Sequence, residues 1–193
     1  ECQVYTSENN SWLFEFPSLP KGRFNSVCFV YRDSLYVFGG TDNSSNMNEI
    51  VRYDLSTQNS GEWTTIAKVN EANQRGGVAF VVEDKVYAGL GEKSNGIRNG
   101  FYVSSDSLTK WELIPSIPAQ LGVISSGVYD EQKKSFFMID NDGKIWEYNL
   151  TTEQWTSRSL WIRMKNYHMF MLDGSIYILG QDIYQKNKFT VYN

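Results

Sequence analysis

The residues best suited to chemistry are few and scattered. Arg23, Arg75 and Arg163 each precede an apolar strand-like run, and a guanidinium fork suits a carboxylate, a phosphate or an acidic peptide. Arg98 and Tyr184 fall in polar loops and are the other large polar contacts expected to meet a ligand. Glu92 with Arg98 is the nearest thing to an acid–base pair. His168 is the single histidine, and its place inside an apolar run reads as a packed or hydrogen-bonded strand residue rather than a catalyst. Asp140, Asp142 and Gly143 begin like a calcium loop but lack the later Glu, so a tight turn is expected. With one histidine and two cysteines the chain spells no His/Cys metal cluster. It also spells no phosphate-binding glycine loop, nucleophile elbow or spaced acid pair, so no metal, cofactor or catalytic residue is expected.

These side chains must be positioned by strands. The run Ser34-Leu35-Tyr36-Val37-Phe38 alternates and ends on Gly39-Gly40. A polar loop follows (Thr41 to Asn48), then a strand holding Tyr53, a second loop, and a strand at Trp63. The same order returns with erosion. The second copy keeps Leu90-Gly91, Tyr102 and Trp111; the third keeps Tyr148 and Trp155; the fourth keeps Gly180 and Tyr192. Near the N-terminus Tyr5 and Trp12 stand alone. The tyrosines Tyr5, Tyr53, Tyr102, Tyr148 and Tyr192 are spaced 48, 49, 46 and 44 residues apart, the period of stacked four-stranded units. Short turns rich in Gly, Asn, Asp and Ser punctuate the runs, as an all-β meander requires.

Bulk composition agrees. Aromatic residues make up 15% of the 193 positions, which excludes a disordered tail. The net charge of −4, with acids and bases interspersed, argues against a nucleic-acid partner, which needs a basic patch. No apolar run approaches the roughly 20 residues of a membrane span. Cys28 lies in an apolar strand and is expected as a buried free thiol, with a bridge to Cys2 left open. Asn-x-Ser/Thr triplets at Asn9, Asn43 and Asn149 do not decide the compartment, which stays unknown.

The order apolar strand, Gly-Gly, Tyr, Trp resembles the kelch repeat, most closely over Phe38-Gly39-Gly40, Tyr53 and Trp63. The resemblance implies a single all-β, kelch-type β-propeller region over 1–193, about four blades of four antiparallel strands. The expected blades are 22–70, 74–118, 122–162, and 163–193 completed by 1–20. The ring is then either closed by the N-terminal strand or one arc of a larger ring. The glycines and recurrent aromatics are expected to be structural, the glycine pair turning the inner hairpin where side chains would clash. Copper-binding kelch relatives need more than one histidine, which this chain lacks. The role the resemblance implies is a non-catalytic protein-interaction or scaffold propeller, a component of a larger assembly or of a longer kelch protein. The alternative is a carbohydrate-binding or sialic-acid mutarotase-like protein. A ubiquitin-ligase receptor would need BTB and BACK domains in a longer chain. In every version the ligand contacts are expected in the loops Thr41–Asn48, Glu92–Asn99 and Gln181–Lys188.

Overall fold

The computed structural model describes residues 2–96, 100–105, 107–115, 117, 124–140, 142–159, 165–181 and 186–192. Arg98, Arg163 and Tyr184 lie outside the described residues. The architecture is all-β, with only two short 3-10 turns besides its strands.

Blade 1 is the antiparallel sheet β3 (Val27–Tyr31), β4 (Ser34–Phe38), β5 (Glu49–Asp54) and β6 (Thr64–Lys68), in that order. Blade 2 is β7 (Val78–Val82), β8 (Lys85–Gly89), β9 (Phe101–Ser105) and β10 (Glu112–Leu113). Blade 3 is β11 (Ile124–Asp130), β12 (Ser135–Asp140), β13 (Lys144–Asn149) and β14 (Gln154–Ser159). Blade 4 holds three strands among the described residues, β15 (Lys165–Leu172), β16 (Ser175–Gln181) and β17 (Asn187–Tyr192). Blades 1 to 3 are thus the four-strand antiparallel units that the repeat implies. The first hairpin of blade 1 turns through Arg32 and Asp33, both at positive φ, which matches the twist of the flanking strands.

Three apolar layers hold the blades face to face. Phe29, Tyr31, Tyr36 and Phe38 of blade 1 pack with Val86, Ala88 and the linker residue Ala72 of blade 2. Val78, Phe80 and Tyr87 of blade 2 pack with Phe136, Met138 and Trp146 of blade 3. Phe137, Ile139 and Ile145 of blade 3 pack with Tyr167, Met169, Ile176 and Ile178 of blade 4. A strand alternates its side chains between faces, so blades 2 and 3 each give their second strand to two layers at once. Tyr87 and Val86 are adjacent in β8 and belong to different layers.

Among the described residues the N-terminal segment does not pair with blade 4. β1 (Cys2–Thr6) and β2 (Ser11–Phe16) pair with each other as a separate two-stranded sheet. The segment is seated on blade 1 instead. The Phe16 ring lies 4.6 Å from Tyr53, and the Trp63 indole donates to the Pro17 carbonyl at 2.8 Å. Blade 3 meets the linker after β10 in the same way, Trp155 donating to the Pro115 carbonyl at 2.6 Å. The physical reason is the apolar Phe16, which is buried against the Tyr–Trp pair of blade 1 and fixes where its strand must lie. Cys28 is exposed, contrary to the expectation of burial. It lies with the exposed Val30 on the face of β3 turned away from blade 2.

Candidate functional site

The glycine loops sit where adjacent blades meet. Gly39 and Gly40 take φ values of 64° and 98°, a region that suits glycine. A Cβ on Gly39 would come within 2.5 Å of the Ala72 carbonyl oxygen and 2.6 Å of the Gln74 carbonyl oxygen. The crowding therefore comes from the linker into blade 2. The Gly40 amide donates to the Gln74 carbonyl at 2.8 Å, which closes the seam.

Strand pairing shows which positions correspond. Phe24 forms a bridge with Thr41, the residue after Gly40, and Arg75 forms the same bridge with Glu92, the residue after Gly91. Arg75 thus corresponds to Phe24, and Arg23 corresponds to Gln74. Arg23 and Arg75, which both precede a first strand, therefore stand one residue apart in the repeat. The side-chain environments differ accordingly. Arg23 is 1% exposed; it donates to the Gly39 carbonyl at 3.2 Å and pairs with Glu49 at 3.0 Å. It is a structural residue of blade 1. Arg75 is 46% exposed and pairs with Glu92 at 2.8 Å at the mouth of a crevice.

That crevice holds about 220 Å³ and is lined by Thr41, Asn43, Ser44, Ser45, Asn46, Arg75, Glu92, Lys93 and Ser94. The structure therefore brings together two of the predicted loops and one predicted arginine. Asn46 ties the loops by donating from Nδ2 to the Glu92 carbonyl at 2.8 Å. Asp42 folds its own loop, accepting from Ser44 Oγ at 2.6 Å and from the Ser44 and Ser45 amides. Lys21 pairs with the same carboxylate at 2.6 Å. The Lys21 contact first, and then these hydroxyl and amide donors, hold the Asp42 carboxyl far below the usual carboxylate range. Lys93 donates to the Tyr102 hydroxyl at 3.0 Å. The walls are thus short hydroxyl, amide and charged groups, fixed by bonds within and between the loops.

Tyr102 itself is displaced from its expected role. Tyr53 pairs with Leu35 and Tyr148 with Phe136, while the matching strand position in blade 2 pairs Val86 with Ser104. Ser104, opposite the position of Trp111, stands where blades 1 and 3 place a tyrosine. Tyr53 and Tyr148 pack on Trp63 and Trp155 with ring centroids 5.4 and 4.8 Å apart, but Trp111 turns to Phe38 at 5.1 Å. A crevice of about 470 Å³ opens beside Ser104, between Lys85, Lys110 and Glu112. It is the space beside a small residue in a slot where other blades carry a ring.

Other candidates take structural places. Asp140 is buried; its carboxylate accepts from the Asp142 and Lys144 amides and from the Trp146 indole at 3.1 Å, which makes it a turn residue. His168 pairs with Leu179, as Val27 pairs with Phe38 and Val78 with Gly89, so it holds the expected first-strand position. It is exposed, beside Asn166, Gln181, Asn187 and Lys188. Gly91 donates its amide to Gln74 Oε1 at 2.6 Å. Gln74 is the residue that reading the sequence passed over. Its only signal is its place immediately before Arg75 and a glycine pair. Among the described residues no group of three His, Cys, Asp or Glu side chains is placed to hold a metal ion. Among them, too, no helix is long and apolar enough to cross a membrane.

Comparison with known proteins agrees with this geometry. Residues 22–70, which span blade 1, match the model of the Kelch motif. Comparison with curated proteins gives no match. With the Kelch motif in blade 1 and its strand order repeated in the sheets that follow, the all-β architecture is consistent with kelch-type β-propeller blades.

Proposed function

We propose that the chain is a non-catalytic protein-interaction module, and that the loop face between blades 1 and 2 receives a polar segment of a partner protein. The observation that carries this reading is the crevice formed by loops 41–46 and 92–94 with Arg75. Loops on a rigid sheet scaffold are the usual place for recognition. Arg75 and Lys93 outnumber the one lining carboxylate, Glu92, in a wall of hydroxyls and amides, which favours a partner segment carrying carboxylates. Catalysis is disfavoured by the chemistry of the acid in the first of these loops. Asp42 is held ionised by its donors, and a carboxyl with so low a pKa is a poor general base at neutral pH.

The test is fluorescence anisotropy against a library of acidic peptides, with wild type compared to the double substitution Arg75→Glu, Lys93→Glu. Loss of binding by tenfold or more, with the thermal midpoint unchanged, is the expected result. Equal binding by the double variant removes the crevice from consideration. Interconversion of sialic-acid anomers above background would instead favour the carbohydrate alternative.

A further inference from the structure

The cavity of about 470 Å³ on blade 2 opens where one row of cross-strand neighbours departs from its counterparts in blades 1 and 3. Val103 pairs with Tyr87 as Arg52 pairs with Tyr36 and Glu147 with Phe137. By the same register Lys85 corresponds to Ser34 and Ser135, and Glu112 corresponds to Thr64 and Thr156. In blades 1 and 3 the row is bonded from strand to strand. Arg52 Nε donates to Ser34 Oγ at 2.9 Å. Ser135 Oγ donates to the Glu147 carboxylate at 2.9 Å, and Thr156 Oγ1 donates to it at 3.4 Å. In blade 2 the middle residue is Val103, whose side chain has nothing to bond with, and a charge stands on either side of it. Lys85, Lys110 and Glu112 all line the cavity and make no ion pair among the described residues. The loop that carries Lys110 is tied down. Ser104 Oγ donates to the Lys110 carbonyl, and the Ser107 and Thr109 hydroxyls share a bond of 2.8 Å.

We infer that this cavity is a binding site for a small dicarboxylic amino acid. Its volume lies within the range of roughly 300–1,000 Å³ typical of small-molecule sites. The charges among its described lining residues are two lysines and one carboxylate. A molecule with two carboxylates and one ammonium group is their complement. Lys85 and Lys110 hold the carboxylates as compact point charges, and Glu112 accepts from the ammonium group. The Ser107 and Thr109 hydroxyls supply further donors, and the ligand's methylenes lie on Val103. Bonds in which both partners are charged are the strong ones, so loss of any one charge from the ligand is felt in affinity. Lys85 opens β8, whereas Gly89 ends it, so the cavity lies at the strand end remote from the glycine loops. The inference stands independently of the loop-face reading above.

The test is calorimetric titration of the 193-residue chain with glutamate, glutarate and glutamine at fixed ionic strength, with the Val103 methyl resonances followed by NMR. Glutamate is expected to bind saturably and to shift the Val103 methyls. Glutarate, which lacks the ammonium group, and glutamine, which lacks the second carboxylate, are expected to bind at least tenfold more weakly. The double substitution Lys85→Met, Lys110→Met should weaken glutamate binding at least tenfold. Glu112→Gln should make glutamate and glutarate bind alike. Absence of saturable glutamate binding overturns the inference. So does equal affinity for the three ligands, and so does undiminished glutamate binding by the lysine double variant. All three substituted side chains are exposed, so the thermal midpoint is expected to hold. Should a variant fail to fold, the ligand comparison and the Val103 shifts on the unsubstituted chain decide the question.

Discussion

Gln74 joins two glycine loops: its Oε1 accepts the Gly91 amide at 2.6 Å while its main-chain carbonyl accepts the Gly40 amide at 2.8 Å. One residue in the linker thereby fixes both loops that frame the crevice. The side chain is buried, so each bond is made in a site where water does not substitute for it.

Gln74→Leu keeps the bulk and removes the acceptor. The Gly91 amide is left buried without a partner, at a cost of about 1–3 kcal/mol. Urea unfolding followed by tryptophan fluorescence measures it. A loss below about 0.3 kcal/mol would show that the clasp carries no stability.

Gly39→Ala combines a left-handed backbone with a Cβ pressed on two main-chain oxygens of the linker. The conformational part costs about 1–2 kcal/mol and the clash about 1–3 kcal/mol. Gly22→Ala is the control, since nothing lies within 4 Å of its Cβ position. A marked drop in midpoint is expected for the first substitution and none for the second.

The two arginines separate stability from recognition. Arg23→Met removes charge-assisted bonds to the Gly39 carbonyl and Glu49 in a buried site and should cost about 2 kcal/mol. Arg75→Met breaks a half-exposed pair with Glu92 and should change stability by less than about 1 kcal/mol. Equal destabilisation by the two would contradict their different burial.

Alkaline pH should unfold the chain partly through Tyr148. Burial first, then the nearby Glu153 carboxylate and Tyr87, push its hydroxyl up to about 12. The folded value thus lies above the unfolded value of about 10. The unfolded state gives up this proton first, so the stabilisation is complete below pH ~10 and is lost as pH rises towards 12. Tyr148→Phe should flatten the fall in thermal midpoint over that window. An unchanged slope would assign the alkaline sensitivity elsewhere, with Tyr87 and Tyr129, also raised by burial, next to be tested.

The strand order and the blade faces were legible because they depend on local periodicity. Alternation in Leu35-Tyr36-Val37-Phe38 places Tyr36 and Phe38 on one face whatever the surroundings, and the turn residues around it mark its ends. The first-strand place of His168 was legible for the same reason, and so was the turn at Asp140. Register between blades was not legible. Tyr102 lies close to the expected period, yet Ser104 occupies the tyrosine slot, because a two-residue shift in β9 keeps the alternation and changes only the partner residue. Arg23 and Arg75 differ for a similar reason, since only the bridges Phe24–Thr41 and Arg75–Glu92 show which linker positions coincide. The sequence by itself thus determined that Gly39 and Gly40 end a strand in a conformation suited to glycine. Only the tertiary structure decided that they do so against the linker carbonyls of Ala72 and Gln74, because that contact joins segments more than 30 residues apart and leaves no periodic mark in either.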